Sequence, residues 1–324
     1  MDVILPVAGL GTRLRPQTWT KPKPLVSVGG KPMLEHVLDR VLPIQPEQIV
    51  FITGFLGDQI EAWAREHLDV PVAFVEQPEM RGQTDAILRT RGLVDGDALI
   101  LFPDMLFEAD FSGLRDVDAD VVMFTKEVDD PSALGVAVVE DDRIVRLVEK
   151  PREPVSNLAV IGIYYVRQMA DLYAAIEEQM RRGLSLKDEY FIADAIQLMI
   201  DGGAKVISMP VSEWEDCGNA ETLLSTNRFL LQRQAGAVGQ RNSSVIVAPS
   251  FVAEDATIEN SVVGPFASIG PGATVRGSLV RDSIVEERAQ ISEALLDGSI
   301  VGRRASVTGL ARRLNIGDDA AVGP

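Results

Sequence analysis

From Val252 onward, an aliphatic residue returns about every sixth position. Val252, Ile258, Val263, Ile269 and Val275 are spaced by 6, 5, 6 and 6 residues. After interruptions the pattern resumes at Val285 and Ile291, at Val301 and Val307, and at Ile316 and Val322. Small and turn-forming residues fill the intervals, as in Gly270-Pro271-Gly272-Ala273. This period predicts a β-solenoid of hexapeptide repeats, with each aliphatic side chain pointing into the coil and small residues allowing tight corners. A β-sandwich would show two-residue alternation over longer strands. The pattern is still running at Gly323-Pro324, which leaves an open edge on the last coil and predicts a homo-oligomer that covers it.

The chain before the repeat has a different texture. Asp2–Val7, Gln48–Thr53, Val72–Glu76, Ala98–Phe102 and Val121–Thr125 are strand-length and rich in Val, Ile, Leu and Phe. Helical patterns lie between them at Pro32–Leu42, Asp58–His67 and Thr84–Leu93, with Pro32 suited to a helix start. Strand patterns follow at Val136–Val139, Ile144–Glu149, Ala159–Val166 and Lys205–Pro210. Helical ones follow at Gln168–Arg182, Asp188–Asp201 and from about Asn219 to Gln234. Strands separated by helix-length segments predict βαβ crossovers and a mainly parallel sheet covered on both faces. The texture changes at Gly236–Ser244, so two domains are expected, residues 1–236 and 245–324.

Composition narrows the partners. The net charge is −17. The eight basic and ten acidic residues from Arg241 onward leave −15 of it on the first 240. Nucleic acid is a poor partner for such a chain, and a phosphate ligand must be held by a local cluster of donors against the overall field. No apolar run approaches the ~18 residues of a membrane span, so no membrane partner is expected. The one cysteine, Cys217, excludes an intramolecular disulfide and agrees with a reducing cytoplasm, the expected location. Against the acidic background, Lys21, Lys23 and Lys31 fall within eleven positions.

Those lysines follow a glycine loop, Val7-Ala8-Gly9-Leu10-Gly11-Thr12-Arg13-Leu14-Arg15-Pro16. Glycines after a first strand let backbone N–H groups approach phosphate oxygens, because nothing beyond Cα blocks the way. The loop is not a Rossmann fingerprint: it lacks the third glycine, and Pro16, Pro22 and Pro24 discourage a regular helix. Nor is it a Walker A loop, because Gly30-Lys31 is followed by Pro32. A protein-kinase glycine loop would join a β-hairpin rather than open the first βα unit.

Gly9-x-Gly11-Thr12-Arg13-x-x-Pro16 with Pro22-Lys23-Pro24 resembles the signature of the sugar-1-phosphate nucleotidylyltransferases. The resemblance covers nearly the whole chain. Glu76-Gln77-Pro78 with Gly82 looks like the family's base-reading segment, and Leu99-Ile100-Leu101-Phe102-Pro103-Asp104 like the strand ending in the first metal aspartate. Glu149-Lys150-Pro151, Ser156-Asn157 and Gly162-Ile163-Tyr164 resemble the sugar-phosphate site, with Gly135 beside the sugar. Trp214-Glu215-Asp216-x-Gly218 looks like the second metal aspartate and its turn. The fold this implies is α/β, a Rossmann-like mixed, mainly parallel sheet with helices on both faces. In several members a left-handed parallel β-helix follows it.

The resemblance implies transfer of a nucleotidyl group from a nucleoside triphosphate to a sugar 1-phosphate, giving an NDP-sugar and pyrophosphate. It implies Arg13, Lys23 and Asp104 as catalytic residues and Mg²⁺ on Asp104 and Asp216. It puts the nucleotide against Ala8, Gly9, Gly11, Thr12, Gln77 and Gly82, and the sugar phosphate against Gly135, Glu149, Lys150, Asn157 and Val160. The nucleophile is already anionic, which agrees with motifs that feature Arg13, Lys23 and Lys150 rather than His36 or His67. Cys217 is expected as a buried structural thiol. An acyltransferase solenoid is disfavoured, because no histidine follows His67. Leu10 stands where many relatives carry glycine, and Pro103-Asp104-Met105 where Gly-Asp-Asn is more usual. Asp85 either contacts the nucleoside or opens a helix, where an acidic side chain suits the dipole. The expected substrates are UTP or dTTP with glucose 1-phosphate. GTP with mannose 1-phosphate and a non-catalytic NDP-sugar-binding regulator are the alternatives.

Overall fold

The computed structural model describes all residues except 133, 152, 154, 235–238, 242, 310–312 and 324. Of the texture change expected at Gly236–Ser244, residues 236–238 and 242 lie outside the described ones. Contacts group the chain into two compact units. One comprises Met1–Gly9, Val37–Pro103 and Phe107–Trp214; the other comprises Leu10–His36, Asp104–Leu106 and Glu215–Pro324.

The first unit holds a nine-stranded sheet: β1 (Asp2–Pro6), β2 (Ile49–Thr53), β3 (Val72–Glu76), β4 (Ala98–Leu101), β5 (Val121–Glu127), β6 (Gly135–Glu140), β7 (Arg143–Glu149), β8 (Leu158–Val166) and β9 (Val206–Pro210). Its main path runs β7-β6-β8-β4-β1-β2-β3, with β5 also pairing β8 and β9 pairing β5. β4, β1, β2 and β3 are mutually parallel, as are β5 and β9, whereas β8 is antiparallel to β4, β5 and β6. Every residue of β2 and β4 is buried, the mark of strands covered on both faces.

Among the described residues the helices are α1 (Met33–Val41), α2 (Gly57–His67), α3 (Gln83–Leu88), α4 (Met169–Arg182), α5 (Ile192–Asp201) and α6 (Ala220–Arg233). Ile4, Val50, Ile52 and Ile100 form one core with Ile87 of α3, Leu172 and Ile176 of α4, and Ile196 of α5. The residues of opposite parity, Val3, Leu5, Phe51 and Leu99, are equally buried. Three helices differ from the sequence expectation. Pro32 belongs to a short strand, Lys31–Pro32, and α1 begins at Met33. The helix expected over Thr84–Leu93 ends at Leu88. The one expected from Asp188 begins at Ile192, because Tyr190 is drawn into a bridge with Gly82.

In the second unit the solenoid has three sheets whose coil strands run parallel; one of them also takes in Gly239–Arg241, antiparallel to Ser244–Ile246. Val245 lies beside Val262 and Val262 beside Leu279, seventeen residues apart; Leu279 lies beside Leu295, sixteen apart. The expected aliphatics Ile258, Val263, Ile269, Val275, Val285, Ile291, Val301 and Val307 line its interior. The apparent interruptions are filled by Val280 and Leu296, which a strict six-residue period skips because the spacing there contracts to five. Corner serines close the coils: Ser261 Oγ accepts the N–H of Ser278, and Ser278 Oγ that of Ala294.

A second core joins this solenoid to the glycine-loop segment within the same unit. Leu14, Val26, Val28 and Met33 pack with Leu106, Cys217 and Leu223, and with the outward-facing Ile284 and Ile300 of the coils. α6 is capped by Asn219, whose side chain accepts from the N–H groups of Glu221 and Thr222, a stabilising N-terminal arrangement. Asn227 on α6 accepts from the N–H of Gly29 and from Ser268 Oγ. No helix among the described residues is long and apolar enough to cross a membrane.

Candidate functional site

In the first unit the chain runs from β1 outward to β2 and β3, then returns to β4 on the other side of β1. In an open α/β sheet such a reversal leaves a crevice at the carboxyl ends of the strands, where ligands bind. Ala8 and Gly9 follow the end of β1, and Gln77 follows that of β3. Ala8 is closed in by Gly54, where a Cβ would lie 2.9 Å from the Ala8 carbonyl.

Gln77 is 4% exposed. Its Nε2 donates to the Gly82 carbonyl and to Asp85 Oδ2, both at 3.0 Å. A carbonyl and a carboxylate can only accept, so the amide orientation follows from its partners. Oε1 is then the acceptor end of the amide. Asp85 sits in the first turn of α3, and Arg89 Nε also donates to it at 3.2 Å. Its carboxylate therefore aims Gln77, a role that no motif spacing announces. Only glycine fits at 82: φ is +106°, and a Cβ would lie 2.3 Å from the Tyr190 backbone nitrogen.

Sheet register brings the proposed sugar-side residues together. Glu149, ending β7, pairs with Gly135, which begins β6, and a Cβ on Gly135 would lie 2.8 Å from Glu149 Oε2. Val136 lies opposite Ala159, so Gly135 is level with Val160. A register shift separates Val160 from Tyr164, the kind of irregularity that re-aims side chains beside a site. The Asn157 carbonyl accepts from Val128 N–H. Burial pushes the Glu149 carboxyl above its ordinary value, and Lys150, with Nζ at 3.6 Å, pulls part of the way back. Lys150 has φ +48°, and its Nζ lies 5.4 Å from the Phe191 ring centre.

The second unit gathers the other set. Three 3₁₀ turns, Thr12–Leu14, Gln17–Trp19 and Lys23–Leu25, replace any regular helix across the proline-rich loop. Gly11, at φ +60°, leads into the first, and its carbonyl accepts from Leu14 N–H and Thr18 Oγ. A Cβ there would lie 3.1 Å from Lys23 Cβ, so this glycine lets the two arms of the loop close. Thr12 and Arg13 are exposed. Lys23 Nζ, on a side chain only 11% exposed, donates to Asp104 Oδ2 at 3.1 Å. Cys217 N–H donates to the Asp104 carbonyl, which sets the chain at Asp216 beside that at Asp104. Asp216 Oδ1 accepts from Gly218 N–H at 2.9 Å. A Cβ on Gly218 would lie 2.8 Å from Asp216 Oδ1 and 3.3 Å from an Arg13 guanidinium nitrogen. Arg13 and Asp216 thus flank one glycine.

Burial pushes the Cys217 thiol up to about 12, and the charges of Lys23, Asp216 and Asp104 all act on it. It is an inert, buried thiol. His36 Nε2 is bonded to the Val28 carbonyl, and His67 stacks on Trp63. His36 is thus tied into the fold, whereas His67 is exposed at the end of α2.

Asp104 and Asp216 fit a hard divalent cation, offering carboxylate oxygens from neighbouring stretches of chain. The Asp104 carboxylate is half-exposed, and Asp216 Oδ1 is steadied by the Gly218 N–H. Among the described residues no three His, Cys, Asp or Glu side chains form a metal-holding group, so phosphate oxygens and water would complete the coordination of an ion at these two.

The sequence profile described as Nucleotidyl transferase matches residues 2–233. A glucose-1-phosphate thymidylyltransferase of Streptomyces antibioticus is 30% identical, covering 99% of this chain and 99% of its own. A UTP--glucose-1-phosphate uridylyltransferase, AglF, of Haloferax volcanii is 32% identical over 68% of this chain and 93% of its own. The crystal structure of a UDP-glucose pyrophosphorylase complexed with UDP-glucose shares the fold, with a TM-score of 0.64 at 22% identity over 72% of this chain and 99% of that one. With the profile spanning most of the sequence and a relative matched along nearly its full length, this chain belongs to the nucleotidyl transferase family.

Proposed function

We propose that this chain joins glucose 1-phosphate to dTTP or UTP, giving the nucleoside diphosphate sugar and pyrophosphate. The observation that carries the reading is the grouping of Arg13, Lys23, Asp104 and Asp216 around Gly218 and Cys217 in a chain of this family. The activities named for the two relatives support the substrate class.

An oxygen of the sugar phosphate attacks the α-phosphorus, and its lone pair forms the new P–O bond. The bond from that phosphorus to the bridging oxygen breaks, and pyrophosphate leaves with the electron pair. No proton has to be removed, so catalysis is alignment and charge neutralisation. Arg13 takes the β- and γ-phosphates, with backbone N–H groups of the Ala8–Thr12 loop assisting. Lys23 reaches the reacting phosphates, and its pairing with Asp104 keeps it from being a buried, uncompensated charge. Lys150 takes the sugar phosphate, while Glu149 accepts from sugar hydroxyls. Asp104 and Asp216 would hold Mg²⁺, whose positive charge would supply part of that neutralisation.

Gln77 Oε1 selects a base edge that presents an N–H. At the ring nitrogen uracil and thymine offer N3–H, whereas cytosine N3 and adenine N1 are acceptors and the N–H donors of those bases are exocyclic amines. Guanine N1–H is also a donor, so GTP with mannose 1-phosphate is the competitor within the class. Residues 1–236 are the catalytic domain in this reading and 245–324 the repeat domain, in a cytoplasmic homo-oligomer whose mass light scattering would give. The test is pyrophosphate release in a matrix of triphosphates and sugar 1-phosphates with Mg²⁺. The expected maximum is at dTTP or UTP with glucose 1-phosphate. No release with any pair would refute the enzyme reading in favour of a binding regulator.

A further inference from the structure

We infer that Glu286, on a corner of the solenoid, is a positioning residue for the phosphate-handling loop, so that the repeat domain is part of the catalytic apparatus. The inference rests on the proposed reaction and extends it to residues far outside the loop in sequence.

Glu286 is 3% exposed and accepts three hydrogen bonds from the loop. Lys21 Nζ donates to Oε2 at 2.6 Å, Ser27 N–H to Oε1 at 3.0 Å, and Ser27 Oγ to Oε2 at 3.2 Å. One carboxylate thus grips the chain on both sides of Lys23, and between the grips lies the 3₁₀ turn Lys23–Leu25. That stretch needs an external hold, because Pro22 and Pro24 lack N–H groups and a 3₁₀ turn satisfies few of its own. Glu286 is itself anchored, its N–H donating to the Val301 carbonyl of the next coil at 2.9 Å.

The strand leading to the clamp shares the task. In Ile284–Val285, Ile284 faces outward into the core that holds Leu14, Val26 and Val28, while Val285 faces into the coil. A second grip holds the start of the loop: Gln17 Nε2 donates to Asn315 Oδ1 at 3.1 Å and to the Ile316 carbonyl at 2.7 Å. Thr20 Oγ bonds Asp318. A Cβ on Gly317 would lie 3.1 Å from Pro16 Cβ. Successive coils therefore meet the loop between Arg13 and Lys23 and again just beyond Lys23, which a mere spacer would not do.

The test compares Glu286→Gln with the paired variant Lys21→Met/Glu286→Leu, which removes the clamp without leaving a buried charge unpaired. Arg276→Gln, which breaks an exposed ion pair with Glu259 on the outside of the coils, serves as the control. In each, kcat, the KM for both substrates and the melting temperature are measured. A displacement of about 1 Å in a positioned group costs roughly 100-fold in rate. Both Glu286 variants should therefore lose at least about tenfold in kcat at temperatures where they remain folded, with sugar-phosphate KM nearly unchanged. Re-introducing a shorter carboxylate, Glu286→Asp, should restore part of kcat. Wild-type kcat in a folded paired variant would overturn the clamp. So would a loss in Arg276→Gln equal to that in Glu286→Gln. Inactivity of the wild-type chain with every substrate pair would instead overturn the reaction on which the inference rests.

Discussion

Gly9 has no structural reason to be glycine. A Cβ there would meet nothing within 4 Å, and its φ lies outside the left-handed region. Replacing it by alanine should leave the fold intact and stabilise it by about 0.4–1 kcal/mol, because the unfolded chain loses freedom. If the loop receives the triphosphate, the added methyl stands where a phosphate must approach the backbone. The loss of one charge-assisted hydrogen bond is worth about 1.5–3 kcal/mol. That corresponds to roughly ten- to a hundredfold in apparent affinity for the triphosphate. Initial rates of pyrophosphate release against dTTP or UTP, together with thermal melts, measure both effects on one sample. The expected result is an equal or higher melting temperature with a strongly raised triphosphate KM and an unchanged sugar-phosphate KM. A stable Gly9→Ala enzyme with wild-type triphosphate KM and kcat would show that no phosphate rests against this turn.

Gly218→Ala places a Cβ 2.8 Å from Asp216 Oδ1, so the carboxylate must shift. Since only a side-chain tip moves, stability should change by less than ~1 kcal/mol, while half-saturation by Mg²⁺ rises in a metal titration. Asp85→Asn weakens the hold on Gln77 and should lower kcat/KM for the preferred triphosphate about tenfold, the value of one hydrogen bond. The CTP-to-UTP activity ratio should rise with it. Glu149 is raised above the ordinary 4.5 by burial, so it protonates at a pH where an exposed carboxyl would still be charged. Sugar-phosphate KM should therefore climb as pH falls, starting above 4.5, and the limb should vanish in Glu149→Gln. The linked stability has the opposite sense: protonation relieves the buried charge, so the contribution of Glu149 is largest below 4.5 and is lost as pH rises through its raised value. A melt series across that range checks it.

What the sequence determined by itself was everything governed by local pattern. Buried strands such as Ile49–Thr53 are continuous apolar runs, and the coil interior from Ile258 to Val307 is written as an aliphatic period, so both were legible. The glycine turn and its prolines likewise exclude a regular helix from composition alone, and 3₁₀ turns stand there. Where spacing was not strict, as at Val280 and Leu296, the period failed to mark residues that packing uses. Tertiary structure alone decided which distant residues share a hydrogen bond. Glu286 lies 265 residues from Lys21, and Asn315 lies 298 from Gln17. No periodicity encodes such pairs, since each partner reads as an ordinary charged or polar residue of its own segment. The orientation of Gln77 is of the same kind. An amide has no intrinsic preference for which end faces a ligand, and only the closure of α3 against the end of β3 supplies the two acceptors that settle it.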